Sequence, residues 1–199
     1  MRIFNLLLFL SMSFYGTLKP ISKEESLTTE ELERFNNEII RSQQIIHSNQ
    51  SYNAKIIFLV DMKIKSGKNR FFVYDLVNDK ILDEGLVAHG SGSETAIKGN
   101  LKFSNEPNSN ATSLGRYVIG KAYKGIFGKA YKLSGLDESN NNALKRSVVL
   151  HSYSAVPDEE QQYYISHSHG CPMVSEAFFK RLEKIIDSSK SNIILDIYY

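Results

Sequence analysis

The sequence has no tryptophan, one cysteine, four prolines and four methionines. A single cysteine cannot close a disulfide within the chain, nor can it supply the paired thiolates of a cysteine-rich zinc site. So few prolines, with no serine- or glycine-rich tract, leave no low-complexity segment, and no internal repeat is present. Basic and acidic residues nearly cancel, 24 against 22. No one-signed stripe exists to attract nucleic acid, and none is expected as a partner.

The first apolar run is short. Arg2 precedes Ile3-Phe4-Asn5-Leu6-Leu7-Leu8-Phe9-Leu10, with Ser11, Ser13 and Gly16 beyond it. A positive residue, a short apolar stretch and small residues read as a secretory signal over residues 1–16, too short to span a bilayer comfortably. An uncleaved N-terminal anchor is the alternative, because only Ser11-Met12-Ser13 offers a small-x-small pair. Export places the mature chain outside the cytoplasm, periplasmic or otherwise extracytoplasmic, with no stable membrane insertion after signal removal. A lone cysteine in an exported protein is a candidate reactive thiol.

Residues 17–50 read as a polar leader and an amphipathic helix. Thr28-x-x-Glu31 is a capping box, and Leu32, Phe35, Ile39 and Ile46 recur at helical spacing, which predicts a helix from Thr29 to His47. From Lys55 the period changes. Residues 56–60, 70–74, 81–88, 117–119, 130–133, 147–150 and 193–198 are short runs rich in β-branched and aromatic residues, separated by turn formers. The expected fold is mainly β, a largely antiparallel β-sandwich of one domain over residues 51–199. After the cysteine, Ser175 caps a helix with Phe178, Leu182, Ile185 and Ile186 on one stripe.

The chemistry concentrates in His151-Ser152 and Ser166-His167-Ser168-His169-Gly170-Cys171-Pro172. A thiol and an imidazole form a nucleophile–base pair when folding brings them together. Serine, histidine and glycine crowd the cysteine where a core strand would carry valine or isoleucine, which argues against a buried structural thiol. His167, His169 and Cys171 alternate and His151 could add a fourth ligand, but the spacing fits no usual zinc pattern. No metal or cofactor is expected. His89-Gly90-Ser91-Gly92-Ser93 lacks the rest of a phosphate-binding fingerprint and reads as a mobile loop near the cleft. Asp137–Asn142 lacks the glycine and distal glutamate of a calcium loop and reads as surface.

His151-Ser152 followed by Ser168-His169-Gly170-Cys171-Pro172 resembles the active-site signature of the L,D-transpeptidase catalytic (YkuD-type) family, in the subfamily with Ser-x-Gly-Cys-Pro. The likeness extends through Val87-Ala88-His89-Gly90, Phe103-Ser104-Asn105, Ser113-Leu114-Gly115 and Arg146–His151. It implies that family's β-sandwich fold and an enzyme acting on peptidoglycan stem peptides, as a monomer associated with the cell wall. It further implies Cys171 as nucleophile, His151 as base, the Ser152 carbonyl as its orienting partner, and His169 and Gly170 as active-site frame. His89, Ser104, Asn105 and Ser168 are the expected substrate contacts. Many members carry arginine two residues after the cysteine, where this chain has Met173. Pro172 has no N–H, so oxyanion donors are expected from the Gly170 and Cys171 amides. The helix after the cysteine is expected to aim its positive end at the sulfur and favour the thiolate. Hydrolysis by the same pair, giving an L,D-carboxypeptidase or other wall hydrolase, is the alternative outcome; a non-enzymatic wall- or metal-binding module is the other.

Overall fold

A computed structural model describes residues 27–199, so the expected signal peptide and most of the leader lie outside the described residues. Helix α1 spans Thr29–Ser48, within one residue of expectation. Its capping box is formed: Thr28 Oγ1 accepts from the Glu31 amide, and Glu31 Oε2 accepts from the Thr28 amide. These bonds satisfy two of the donors that a helix start leaves without partners.

The strands are β1 (Tyr52–Asp61), β2 (Phe71–Asp75), β3 (Lys80–Gly85), β4 (Val87–Ala88), β5 (Gly115–Gly125), β6 (Gly128–Gly135), β7 (Val149–Ser152), β8 (Met173–Val174) and β9 (Asn192–Tyr198). Helix α2, Glu176–Ser188, lies between β8 and β9. All nine strands belong to one hydrogen-bonded sheet in the order β3-β2-β1-β9-β5-β6-β7-β8-β4. Only the β1–β9 and β7–β8 pairs are parallel.

The run 81–88, expected as one strand, is two. β3 and β4 are separated by Leu86 alone, yet they stand at opposite ends of the sheet order. The sheet therefore curls until its two edges meet, and the layers of the expected sandwich are parts of one continuous sheet. Its inner face makes a single core: Phe71 and Val73 of β2 share a cluster with Tyr117, Leu150, Val174 and with Phe178 and Leu182 of α2. Gly85 makes room for this packing, since a Cβ there would come within 2.4 Å of the Phe178 ring.

The outer face of β1, β2 and β9 is covered by α1. Phe35, Ile39 and Ile46 pack on Ile57, Leu59, Phe72 and Ile194. Phe35 meets both Phe72 and Tyr74 edge-on at 5.3 Å. Residues 57–60 are apolar without alternation because both faces of β1 are buried. Beneath α1 lies a polar layer: Ser42 Oγ donates to Asp196 Oδ2 at 2.7 Å, and Arg34 pairs with Asp61 at 2.8 Å. Burial pushes the Asp196 carboxyl up to about 7.

Two further expectations change. The segment Asp137–Asn142 is not merely surface: Asn140 is fully buried, its side chain accepting from the Asp137 amide and donating to Arg116 O. The strand expected at 147–150 starts at Val149, because Ser147 turns the chain with φ 56°. Among the described residues, no helix is long and apolar enough to cross a membrane.

Candidate active site

The parallel pairing of β7 with β8 places the two reactive side chains. His151 lies level with Met173 and Ser152 with Val174. Cys171, two residues before Met173, therefore comes level with Val149, and alternation along extended backbone puts Val149, His151, Cys171 and Met173 on one face. All four line a cleft of about 400 Å³, with Tyr123, Ile126, Phe127, Tyr153, His167, Ser168 and His169 around them.

The turn carrying the sulfur is held by Ser168. Its hydroxyl donates to Cys171 O at 2.6 Å and accepts from the Gly170 amide at 3.1 Å. Gly170 adopts φ +114°, and a Cβ there would lie 2.9 Å from Ala111 O and 3.2 Å from Arg146 Nη2. Only glycine fits that conformation and that space. The Gly170 amide is thus committed, so the expected pair of oxyanion donors reduces to the Cys171 amide.

Arg146, a residue of the Arg146–His151 motif, sits behind the turn. It donates to Ser104 O at 2.9 Å, to Ser113 Oγ at 3.0 Å, and to Ala111 O. Burial pushes the Cys171 thiol up from its ordinary value, outweighing the Val149 amide, which donates to the sulfur, and the Arg146 charge, both of which lower it. The start of α2 is capped by Ser175, whose Oγ accepts from the Phe178 amide.

His151 Nδ1 lies 3.0 Å from Ser152 O. A carbonyl can only accept, so Nδ1 carries the proton and Nε2 keeps its lone pair. Burial holds this imidazole below its ordinary value, and the Ser152 carbonyl opposes that. The resting pair is a neutral thiol and a neutral imidazole. Phe127, 53 % exposed at the tip of the two-residue β5–β6 turn, stacks on the His151 ring at 5.4 Å and 18°. Nothing in the sequence pattern pointed to Phe127, because the β5–β6 turn alone brings it there.

His169 and Ser168 also line the cleft, whereas three expected substrate contacts do not. His89 is 1 % exposed, with Nδ1 2.9 Å from Arg70 Nη2 and Nε2 2.6 Å from Glu94 Oε1. Its loop is anchored to the turn before the cysteine: the Ser91 amide donates to Ser168 O and Ser93 is fully buried. Ser104 offers its carbonyl to Arg146, and the Asn105 side chain donates to Glu138 O and Asn141 Oδ1, so both brace loops behind the site.

His89, Glu94 and His167 place ligand atoms within 4.8 Å of one another. They do not suit a metal. Arg70 can only donate, so His89 Nδ1 must accept and Nε2 keeps its proton, leaving no lone pair for an ion.

A curled β-sheet with a histidine on one strand and a cysteine in the turn leading into the adjacent parallel strand, both facing one cleft, defines the structural class. The model of the L,D-transpeptidase catalytic domain matches residues 26–198, and the chain belongs to that family. Among solved structures, the chain is similar to an L,D-transpeptidase from Xylanimonas cellulosilytica (14 % identity over 73 % of this chain and 61 % of that one, TM-score 0.38). It is also similar to one from Mycobacterium smegmatis (12 % identity, 74 % and 60 % covered, TM-score 0.42). A third likeness is to L,D-transpeptidase 1 of Mycobacterium tuberculosis (13 % identity, 73 % and 62 % covered, TM-score 0.39). The chain spans about three fifths of the length of each. No curated protein matches it.

Proposed function

We propose that the protein is an exported cysteine acyltransferase that joins peptidoglycan stem peptides, with residues 51–199 as catalytic domain and residues 1–16 as export signal. The observation that carries this reading is the shared cleft of Cys171 and His151 in a chain of this family. The site works outside the cytoplasm, at the cell wall, as a monomer.

His151 Nε2 takes the Cys171 proton as the sulfur attacks the carbonyl of a peptide bond between an L- and a D-centre. The Cys171 amide donates to the developing oxyanion. Collapse breaks the C–N bond, His151 returns the proton to the leaving amine, and a thioester remains. A second amine, from a neighbouring stem, then attacks the thioester carbonyl and gives its proton to His151. The C–S bond breaks, and the proton passes to the sulfur. Because thiol and imidazole are both neutral at rest, proton transfer accompanies the attack. Ser168 and Gly170 shape the turn, His169 flanks the cleft, and the Ser152 carbonyl sets the His151 tautomer.

Purified muropeptides incubated with wild type beside Cys171→Ala, and read by mass spectrometry, test this. Cross-linked dimers formed only by wild type are expected. Trimmed monomers alone would assign the protein to the L,D-carboxypeptidases, and no product with no covalent labelling of Cys171 by a carbapenem would end the enzymatic reading.

A further inference from the structure

A second cluster reaches the cleft from the core. Arg70 is 1 % exposed, and it donates to Val87 O, to Ile64 O and to His89 Nδ1 without touching a carboxylate directly. A buried guanidinium requires a compensating charge. Asp61 supplies part of it, and Glu94 supplies the rest through His89, whose Nε2 proton is donated at 2.6 Å. The same Glu94 oxygen lies 3.0 Å from His167 Nε2. The Gly90–Ser168 bridge is parallel, which sets His89 beside His167 with ring centroids 4.9 Å apart.

The two imidazoles have different freedom. His89 cannot take a second proton without opposing Arg70, and burial together with that cation pushes it down to about 4. His167 is 36 % exposed, lines the cleft, and has Nδ1 available. With His167 neutral, Arg70 and Glu94 cancel. With His167 protonated, the cluster presents one net positive charge, and its only member on the cleft wall is His167.

We propose that His167, held by Glu94 and backed by the Arg70–His89 pair, is the cation that binds the carboxylate of the stem peptide. This rests on the function proposed above. Cleavage before a C-terminal residue makes the leaving amino acid carry a free α-carboxylate, which needs a positive partner where this chain has Met173. Arg146 does not line the cleft, and both its terminal nitrogens are engaged behind the turn with Ser104, Ser113 and Ala111. The other titratable or charged groups around His167 are Glu94 and His89 at its back and His169, His151, Cys171, Tyr123 and Tyr153 across the cleft. The carboxylate would accept from the His167 Nδ1 proton.

The test uses two synthetic tetrapeptide stems, one with a free C-terminal carboxylate and one amidated, with wild type, His167→Gln and His167→Arg. In wild type, KM for the free acid should be lower than KM for the amide. The ratio of the two KM values cancels any change at His151. His167→Gln should raise KM for the free acid about ten- to a hundredfold, the size of one charge-assisted hydrogen bond, with little change for the amide. His167→Arg should restore the preference for the free acid. Equal responses of acid and amide to His167→Gln, or no rescue by arginine, overturn the proposal while wild-type turnover leaves the reaction intact. Failure of wild type on both peptides instead removes the reading of the site, and this proposal with it.

Discussion

Gly170→Ala isolates the demand the fold makes on the residue before the sulfur. Alanine there must hold φ +114° and place its Cβ 2.9 Å from Ala111 O, a backbone atom that cannot rotate aside. Strain of this kind costs about 1–3 kcal/mol. In a domain of this size that is a fall in melting temperature of about 2–4 °C per kcal/mol. Relief requires the turn to move by several tenths of an ångström, which shifts Cys171 against His151. Misplacing a reacting group by about 1 Å can cost about a hundredfold in rate. The assay pairs thermal unfolding with the rate of Cys171 acylation by a carbapenem. Gly128→Ala provides the comparison, because its φ is +92° but a Cβ there meets nothing within 4 Å. It should show strain alone, about 1–2 kcal/mol. If Gly170→Ala melts and acylates like wild type, the turn does not position the sulfur as argued.

Three further outcomes are expected. Burial lowers His151 from 6.5 and raises Cys171 from 9.0, so kcat/KM on the amidated peptide should climb with pH along an acid limb below 6.5 and hold its plateau to above 9; a fall that begins below 9, as an imidazolium loses its proton, would show a thiolate–imidazolium pair at rest. Phe127→Ala removes the ring stacked on His151, a contact worth about 0.5–1.5 kcal/mol. Because Phe127 is largely exposed, kcat/KM should fall about two- to twelvefold with no change in melting temperature; a loss of stability would place Phe127 in the scaffold instead. Asp196, raised from 3.8 to about 7 by burial, binds a proton in the folded state that the unfolded chain has released between those values. Its contribution to stability is therefore lost as pH rises from about 4 to 7. His89 and His151, held neutral by burial, contribute with the opposite slope, so the comparison is with Asp196→Asn. Urea unfolding should show the variant gaining on wild type by a few kcal/mol across that window, and parallel curves would remove the argument.

Local chemistry made several elements legible. The Thr28–Glu31 capping box and the Ser175 cap mark both helix starts, because a cap is satisfied within a few residues of chain. The apolar run 56–60 announced a strand, although only the structure shows that both its faces are covered. Cys171, His151, Ser168 and His169 were readable as a set, and they do line one cleft. His89, Ser104 and Asn105 were expected at the substrate, but the His89 and Asn105 side chains and the Ser104 carbonyl are engaged with the scaffold.

The sequence alone determined the reactive groups and the elements that carry them, because residue type and short-range periodicity are properties of a few neighbouring positions. Tertiary structure decided which groups meet. The closure of the sheet at Leu86, the parallel register of His151 with Met173, and the contact of Arg70 with His89 across 19 positions all depend on strand pairing between distant segments. Register on paired strands, together with the burial it imposes, sets which imidazole keeps a free nitrogen and which can carry charge. Those quantities belong to the folded chain, since desolvation acts only once the surrounding side chains have excluded water.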